Sequence, residues 1–135
     1  PLVLASGGNA GSQSATLVVR ALALGEIKLE ERRHLLRMAW RELLTGILLG
    51  LSIAALSFVV IWLARDLYQA MVVGAALTAV ITLGTLNGAM LPILLKFAKL
   101  DPALMSNPLI ASLSDLLAVL IYYNIALLVL AIYGG

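Results

Sequence analysis

The chain has 135 residues, of which 62% are hydrophobic and 12% charged, with no cysteine and a single histidine. Soluble domains are about 45–50% apolar and ~25% charged, so nine basic and seven acidic residues could hardly cover the surface of a water-soluble domain of this size. That excludes a soluble enzyme, a disordered tail, a disulfide scaffold, a thiolate or histidine zinc site and a cysteine nucleophile. The net charge of +2 does not point to nucleic acid, because the basic residues flank apolar stretches as they do in the loops of membrane proteins. The expectation is an all-α, polytopic transmembrane helical bundle in the lipid bilayer, with about three full spans and a partial N-terminal one, and no enzymatic activity.

Residues 1–19 carry no charge but are too short and too polar for a complete span. They are read as a partial one, belonging to a longer protein because the chain opens inside an apolar stretch at Pro1. Within them, Gly7-Gly8-Asn9-Ala10-Gly11-Ser12-Gln13-Ser14 resembles a phosphate loop only superficially: it lacks the Gly-Lys-Ser/Thr ending and a preceding strand. Its glycines permit either close helix approach or a local break. Residues 20–42 hold ten of the charges and read as a cytoplasmic connection with a short amphipathic surface helix at 27–41. His34, among these charges, reads as an ordinary surface histidine.

A membrane-spanning helix needs ~20 apolar residues. The uncharged windows 43–64 and 67–95 qualify outright, and 108–133 qualifies with one acid inside it, Asp115. Continuous apolar runs such as Leu127-Leu128-Val129-Leu130 exclude the alternation of a β-barrel. Gly46, Gly50 and Ala54 form a small-xxx-small stripe that suits close packing within the chain or between subunits. Asn87, Gly88 and Pro92 suggest a Pro-kinked helix end. The Lys and Arg of 20–42, with Lys96 and Lys99, place those two segments on the cytoplasmic side of an inner membrane and the C-terminus at Gly135 outside.

Asp115 is the strongest single clue. An ionised acid at a helix centre costs about 2.5–3.5 kcal/mol on insertion scales, and no Lys or Arg lies within a span to neutralise it. It is either a protonated carboxyl hydrogen-bonded by Ser or Thr, or part of an ion pathway. Asn107, Ala111, Ser114, Asp115 and Ala118 recur at helical spacing and share one small, polar face, with Asn107 a fitting N-cap and Pro108 suited to the first turn. Such a stripe would be water-accessible, with Ser114 lining it. Hard oxygen ligands suit Mg²⁺ and similar ions. Mg²⁺ keeps several waters and uses one or two carboxylates, which two copies of Asp115 facing each other across a dimer axis would supply.

These blocks together resemble the MgtE family of magnesium channels. The resemblance rests on Gly7 through Thr16, Arg20-Ala21-Leu22-Ala23, Gly88-Ala89-Met90-Leu91-Pro92, Asp101-Pro102-Ala103 and Asn107-Pro108-Leu109 running to Ser114-Asp115, in the family's order over nearly the whole chain. It implies five helices per subunit, a homodimer with the pore on its two-fold axis, and this chain as the end of the second helix followed by the third, fourth and fifth. It implies that Asp115 binds a hydrated Mg²⁺ with its dimer mate. The Ala111 carbonyl and Asn107 side chain would touch the ion's water shell, and Gly8 and Asn9 would line the pore. Bacterial members usually carry cytoplasmic Mg²⁺-sensing domains, which this chain does not contain.

The resulting expectation is passive influx of divalent cations, Mg²⁺ first among them, driven by the membrane potential. The alternative is a proton- or sodium-coupled secondary transporter in which Asp115 titrates or binds the ion. An intramembrane aspartyl protease would need two acids at one site, which one acid per chain supplies only across a dimer. A purely structural scaffold would leave Asp115 without a task.

Overall fold

The computed structural model describes residues 1–101 and 107–133, the side chains of Asn107, Pro108 and Tyr133 excepted. Among the described residues there are four helices: α1 (Leu2–Ala23), α2 (Arg32–Ala64), α3 (Leu67–Phe97) and α4 (Asn107–Tyr133). Three helices, over Arg32–Ala64, Leu67–Phe97 and Leu109–Ile132, are long and apolar enough to cross a membrane. The first two contain the uncharged windows 43–64 and 67–95, and the third lies within 108–133.

Each boundary has a local cause. α1 stops at Gly25, whose φ of +70° is the left-handed conformation glycine adopts without a Cβ penalty. Gly25 N–H donates to the Leu22 carbonyl and Glu26 N–H to the Ala21 carbonyl, the paired bonds of a Schellman cap. The same pair closes α3, from Lys99 N–H to Lys96 and from Leu100 N–H to Leu95, with Lys99 at φ 58°. α3 begins at Asp66, whose carboxylate accepts from Gln69 N–H at 2.7 Å, an N-cap bond.

Two boundaries differ from the sequence reading. The glycines of 7–11 do not interrupt α1, a continuous helix of 22 residues; they serve close approach, as described below. The amphipathic stretch 27–41 is not a separate helix. Residues 24–31 form turns, and Arg32 starts a single helix of 33 residues. No glycine or proline separates 32–41 from the apolar run that follows, so nothing stops helix propagation between them.

α3 is the centre of the bundle: 56% of its most apolar window is buried, against 11% for α2 and for α4. Small residues let its neighbours approach to backbone contact. On the α1 side, Gly84 faces the Gly7 backbone and Gly88 faces the Gly11 backbone, so two glycine pairs, each four residues apart, mesh with α1 and α3 running parallel. On the α2 side, Gly46 faces Thr82 and Thr85, and Gly50 faces Thr78, with α2 antiparallel to α3. The stripe at Gly46, Gly50 and Ala54, all buried, is thus used within the chain. α4 runs antiparallel, the Tyr68 hydroxyl near the start of α3 donating to the Ala126 carbonyl near the end of α4 at 3.5 Å. Pro92 is buried inside α3, which continues to Phe97.

The side chains turned outward are large and apolar, among them Leu56, Val60, Leu63, Leu116, Leu120 and Leu128. Small residues inside and leucines outside suit a bundle solvated by lipid, where association depends on close packing rather than on hydrophobic burial. Val18, Ile27, Ala89 and Ile93 form one buried cluster, which brings the turn after α1 to the C-terminal end of α3. Eight of the nine basic residues, all but Arg65, therefore gather at one end of the bundle.

Candidate functional site

The seam between α1 and α4 holds the intramembrane acid. Gly8 is buried in α1, and a Cβ built on it would lie 3.0 Å from Asp115 Oδ1 and 3.8 Å from the Ala111 carbonyl oxygen. The absence of a side chain at Gly8 is what lets the carboxylate lie against α1. Ala111 and Asp115 are one turn apart, so a carbonyl and a carboxylate face the same groove. Asn107 lies one turn further and opens α4; its side chain is outside the described residues, as is the C-terminus at Gly135.

Depth follows from register. Gly7 abuts Gly84, close to the midpoint of α3. Asp115, seated on the next residue of α1, is therefore near mid-depth in the bundle. Its side chain is nonetheless exposed. Among the described residues it forms no ion pair and no hydrogen bond, with serine and threonine included.

The surroundings are polar on one side. At 100° per residue, Gly8 turns to α4, Gly7 turns to α3, and Ser12, Thr16, Asn9 and Gln13 follow round α1 away from α3. Asn9, Gln13 and Thr16 are exposed, and Ser112 is exposed on the adjoining face of α4. This polar sector borders the seam where Asp115 sits. The spacing of Asn9, Gln13 and Thr16 at i, i+4 and i+7 is legible in the sequence.

Ser114 has a different setting. It is 2% exposed, and its hydroxyl lies 2.8 Å from the Cβ position of Gly11, on the packed side of α4. Ser14, also buried, donates to Glu42 Oε2 at 2.8 Å, while the Thr85 hydroxyl donates to the Glu42 carbonyl at 3.2 Å. Glu42 thereby ties α1, α2 and α3 together at the charged end of the bundle. His34 is half-buried near the start of α2. Among the described residues no three His, Cys, Asp or Glu side chains gather to hold a metal ion, so the seam offers one carboxylate, a carbonyl and neutral polar groups. Such a set can engage a cation through its water shell more readily than it can strip the ion bare.

Long apolar helices flanked by charge define a polytopic α-helical membrane domain. A sequence profile of the MgtE family, described as a divalent cation transporter, matches residues 1–125. The chain belongs to the MgtE family. It is 44% identical over 134 residues to a magnesium transporter MgtE of Thermus thermophilus, covering 96% of this chain and 28% of that protein. Against a magnesium transporter MgtE of Bacillus subtilis it is 37% identical over 128 residues, covering 93% of this chain and 28% of the relative. A magnesium transporter MgtE of Enterococcus faecalis is also 37% identical over 128 residues, with 27% of its length covered. The chain thus spans little more than a quarter of the length of these relatives.

Proposed function

We propose that the chain forms part of the membrane domain of a magnesium transporter, and that Asp115 engages a hydrated Mg²⁺ on its way through the seam. The supporting observation is the exposed, unpartnered carboxylate at mid-depth against Gly8. A lone anion facing lipid would cost about 2.5–3.5 kcal/mol, whereas the same anion on a wet path attracts cations. Two copies related by a two-fold axis along the open seam would present two Asp115 carboxylates to one ion. The Ala111 carbonyls and Asn107 side chains would contact its waters, with Gly8 and Asn9 on the flanking wall. Mg²⁺ binds its waters tightly, so outer-shell contacts from a few oxygens fit it better than a dry cage.

The basic end of the bundle faces the cytoplasm of an inner membrane under the positive-inside rule, and α4 then carries the chain outward. A divalent cation moving inward gains about 4.6 kcal/mol per 100 mV, twice the single-charge value, so the potential alone can drive uptake. Regulatory domains lie elsewhere in the full-length protein.

The test is Mg²⁺ uptake into proteoliposomes by the full-length protein, read with an internal Mg²⁺-sensitive dye under an imposed potassium-diffusion potential. Asp115→Ala and Asp115→Asn are expected to lose most of the uptake while the protein remains folded and dimeric in detergent. Native uptake by either variant would refute the assignment. Uptake by the native protein that follows a pH or Na⁺ gradient at zero potential, and not the potential, would replace the channel reading by the coupled transporter.

A further inference from the structure

A second polar site lies in the elbow between the end of α1 and the start of α2, outside the seam. A cavity of about 520 Å³ opens there. Arg20 comes from the last turn of α1, and Arg37 and Arg41 stand one turn apart on α2; all three line the cavity. Like charges at this spacing repel each other and call for a counter-ion. None of the three arginines is ion-paired: among the described residues the one ion pair is Lys28–Glu31, whose residues are not in the cavity wall.

Two carboxylates also reach the wall, Glu26 and Glu42. The Glu42 carboxylate is held by the Ser14 hydroxyl, and neither acid lies within 4.0 Å of a guanidinium. The wall therefore carries three unpaired guanidinium groups against two acids, with His34 beside them. Its other lining is apolar. Leu17 and Leu24 are 65% and 61% exposed at its edge, beside the leucine-covered outside of the bundle.

We infer that this cavity is a binding site for the phosphate headgroup of an anionic phospholipid. Planar guanidinium groups pair with phosphate oxygens in bidentate fashion, and basic pockets between membrane helices at the charged face suit lipid headgroups. The apolar rim favours lipid over free phosphate, since Leu17 and Leu24 give the acyl chains a surface leading away from the head. A bound headgroup would neutralise the Arg37–Arg41 repulsion and bridge α1 to α2 where only turns join them.

The experiment uses delipidated full-length protein in a mild non-ionic detergent, with thermal stability followed by fluorescence-detected size exclusion. It is titrated with phosphatidylglycerol, phosphatidylcholine or inorganic phosphate. Phosphatidylglycerol is expected to raise the melting temperature saturably, and phosphatidylcholine is not. The Arg37→Gln/Arg41→Gln variant should need at least ten-fold more phosphatidylglycerol for half the shift. Arg32→Gln/Arg33→Gln, which removes the same charge just outside the cavity, should respond like the native protein. Arg37→Lys, which keeps the charge and loses the planar fork, should fall between, and it serves as the test if the double variant does not fold. An equal loss in the Arg32/Arg33 variant would overturn the site in favour of diffuse surface charge. A matching shift with phosphatidylcholine, or with inorganic phosphate alone, would overturn the anionic-lipid assignment.

Discussion

Gly88→Ala probes the central crossing of the bundle. A Cβ at this position would point into the Gly11 backbone, 2.7 Å from its carbonyl carbon and 2.8 Å from its Cα, where ordinary contact begins at 3.4 Å. The obstacle is main chain, with the Gly11 carbonyl oxygen nearest of all, so no rotamer change relieves it, and α1 must retreat from α3 by more than the 0.7 Å that separates 2.7 from 3.4 Å. Overpacking of this kind costs about 1–3 kcal/mol, and the rigidity of both helices places it at the upper end. The retreat would also carry Gly8, one turn from Gly11, relative to Asp115. Gly74→Ala is the control, since its Cβ would meet only Phe58 Cδ2, at 3.8 Å, and alanine is favoured over glycine in a helix by up to about 1 kcal/mol. In detergent-solubilised full-length protein, Gly88→Ala should melt several degrees below the native protein, at roughly 2–4 °C per kcal/mol, and should take up less Mg²⁺. Gly74→Ala should melt at or above the native temperature. Equal melting temperatures for Gly88→Ala and the native protein would refute the backbone crossing, as would a comparable loss in Gly74→Ala.

Gly8→Ala sets a Cβ 3.0 Å from Asp115 Oδ1, where the neighbour is a rotatable carboxylate, so liposome uptake should fall several-fold with little change in melting temperature. Asp66→Ala removes the N-cap bond to Gln69 and should destabilise the protein by about 1 kcal/mol without altering uptake at equal protein density. Lys99→Gly places glycine at φ 58° and should stabilise the C-terminal end of α3 by about 1 kcal/mol, seen as slower amide exchange in its last turn.

The long apolar helices were legible because hydrocarbon tolerates charge so poorly that the sixteen charged residues sit almost entirely outside the apolar runs. Asp115 was conspicuous for the same reason. The start of α2 was hidden because amphipathic spacing shows that a segment is helical but not whether it is joined to the helix that follows; continuity from Arg32 to Ala64 depends on the absence of a breaker. The glycines of α1 left two readings open, and tertiary contact decides between them: Gly7 and Gly11 find Gly84 and Gly88 on α3, a match between segments more than seventy residues apart that no local pattern contains. The Ser14–Glu42 bond was out of reach for the same reason.

Ser114 shows how a shared helix face can mislead. It follows Ala111 and precedes Asp115, and at helical spacing all three belong to one polar stripe. A stripe is about a third of a helix wide, however, and 100° separates Ser114 from Asp115. That angle carries the serine from the open seam into the packed side of α4, where it is 2% exposed. Its hydroxyl has no hydrogen-bond partner within the protein among the described residues, and it lies 2.8 Å from the Cβ position of Gly11. Removing the hydroxyl therefore forfeits no bond within the chain, and a buried polar group without a protein partner carries a penalty of about 1–3 kcal/mol. Ser114→Ala should be at least as stable as the native protein and should retain its Mg²⁺ uptake, whereas Asp115→Ala, one residue along, should lose it. If Ser114→Ala instead abolished uptake at unchanged stability, the hydroxyl would have to reach the path, and the orientation of α4 about its own axis would be wrong.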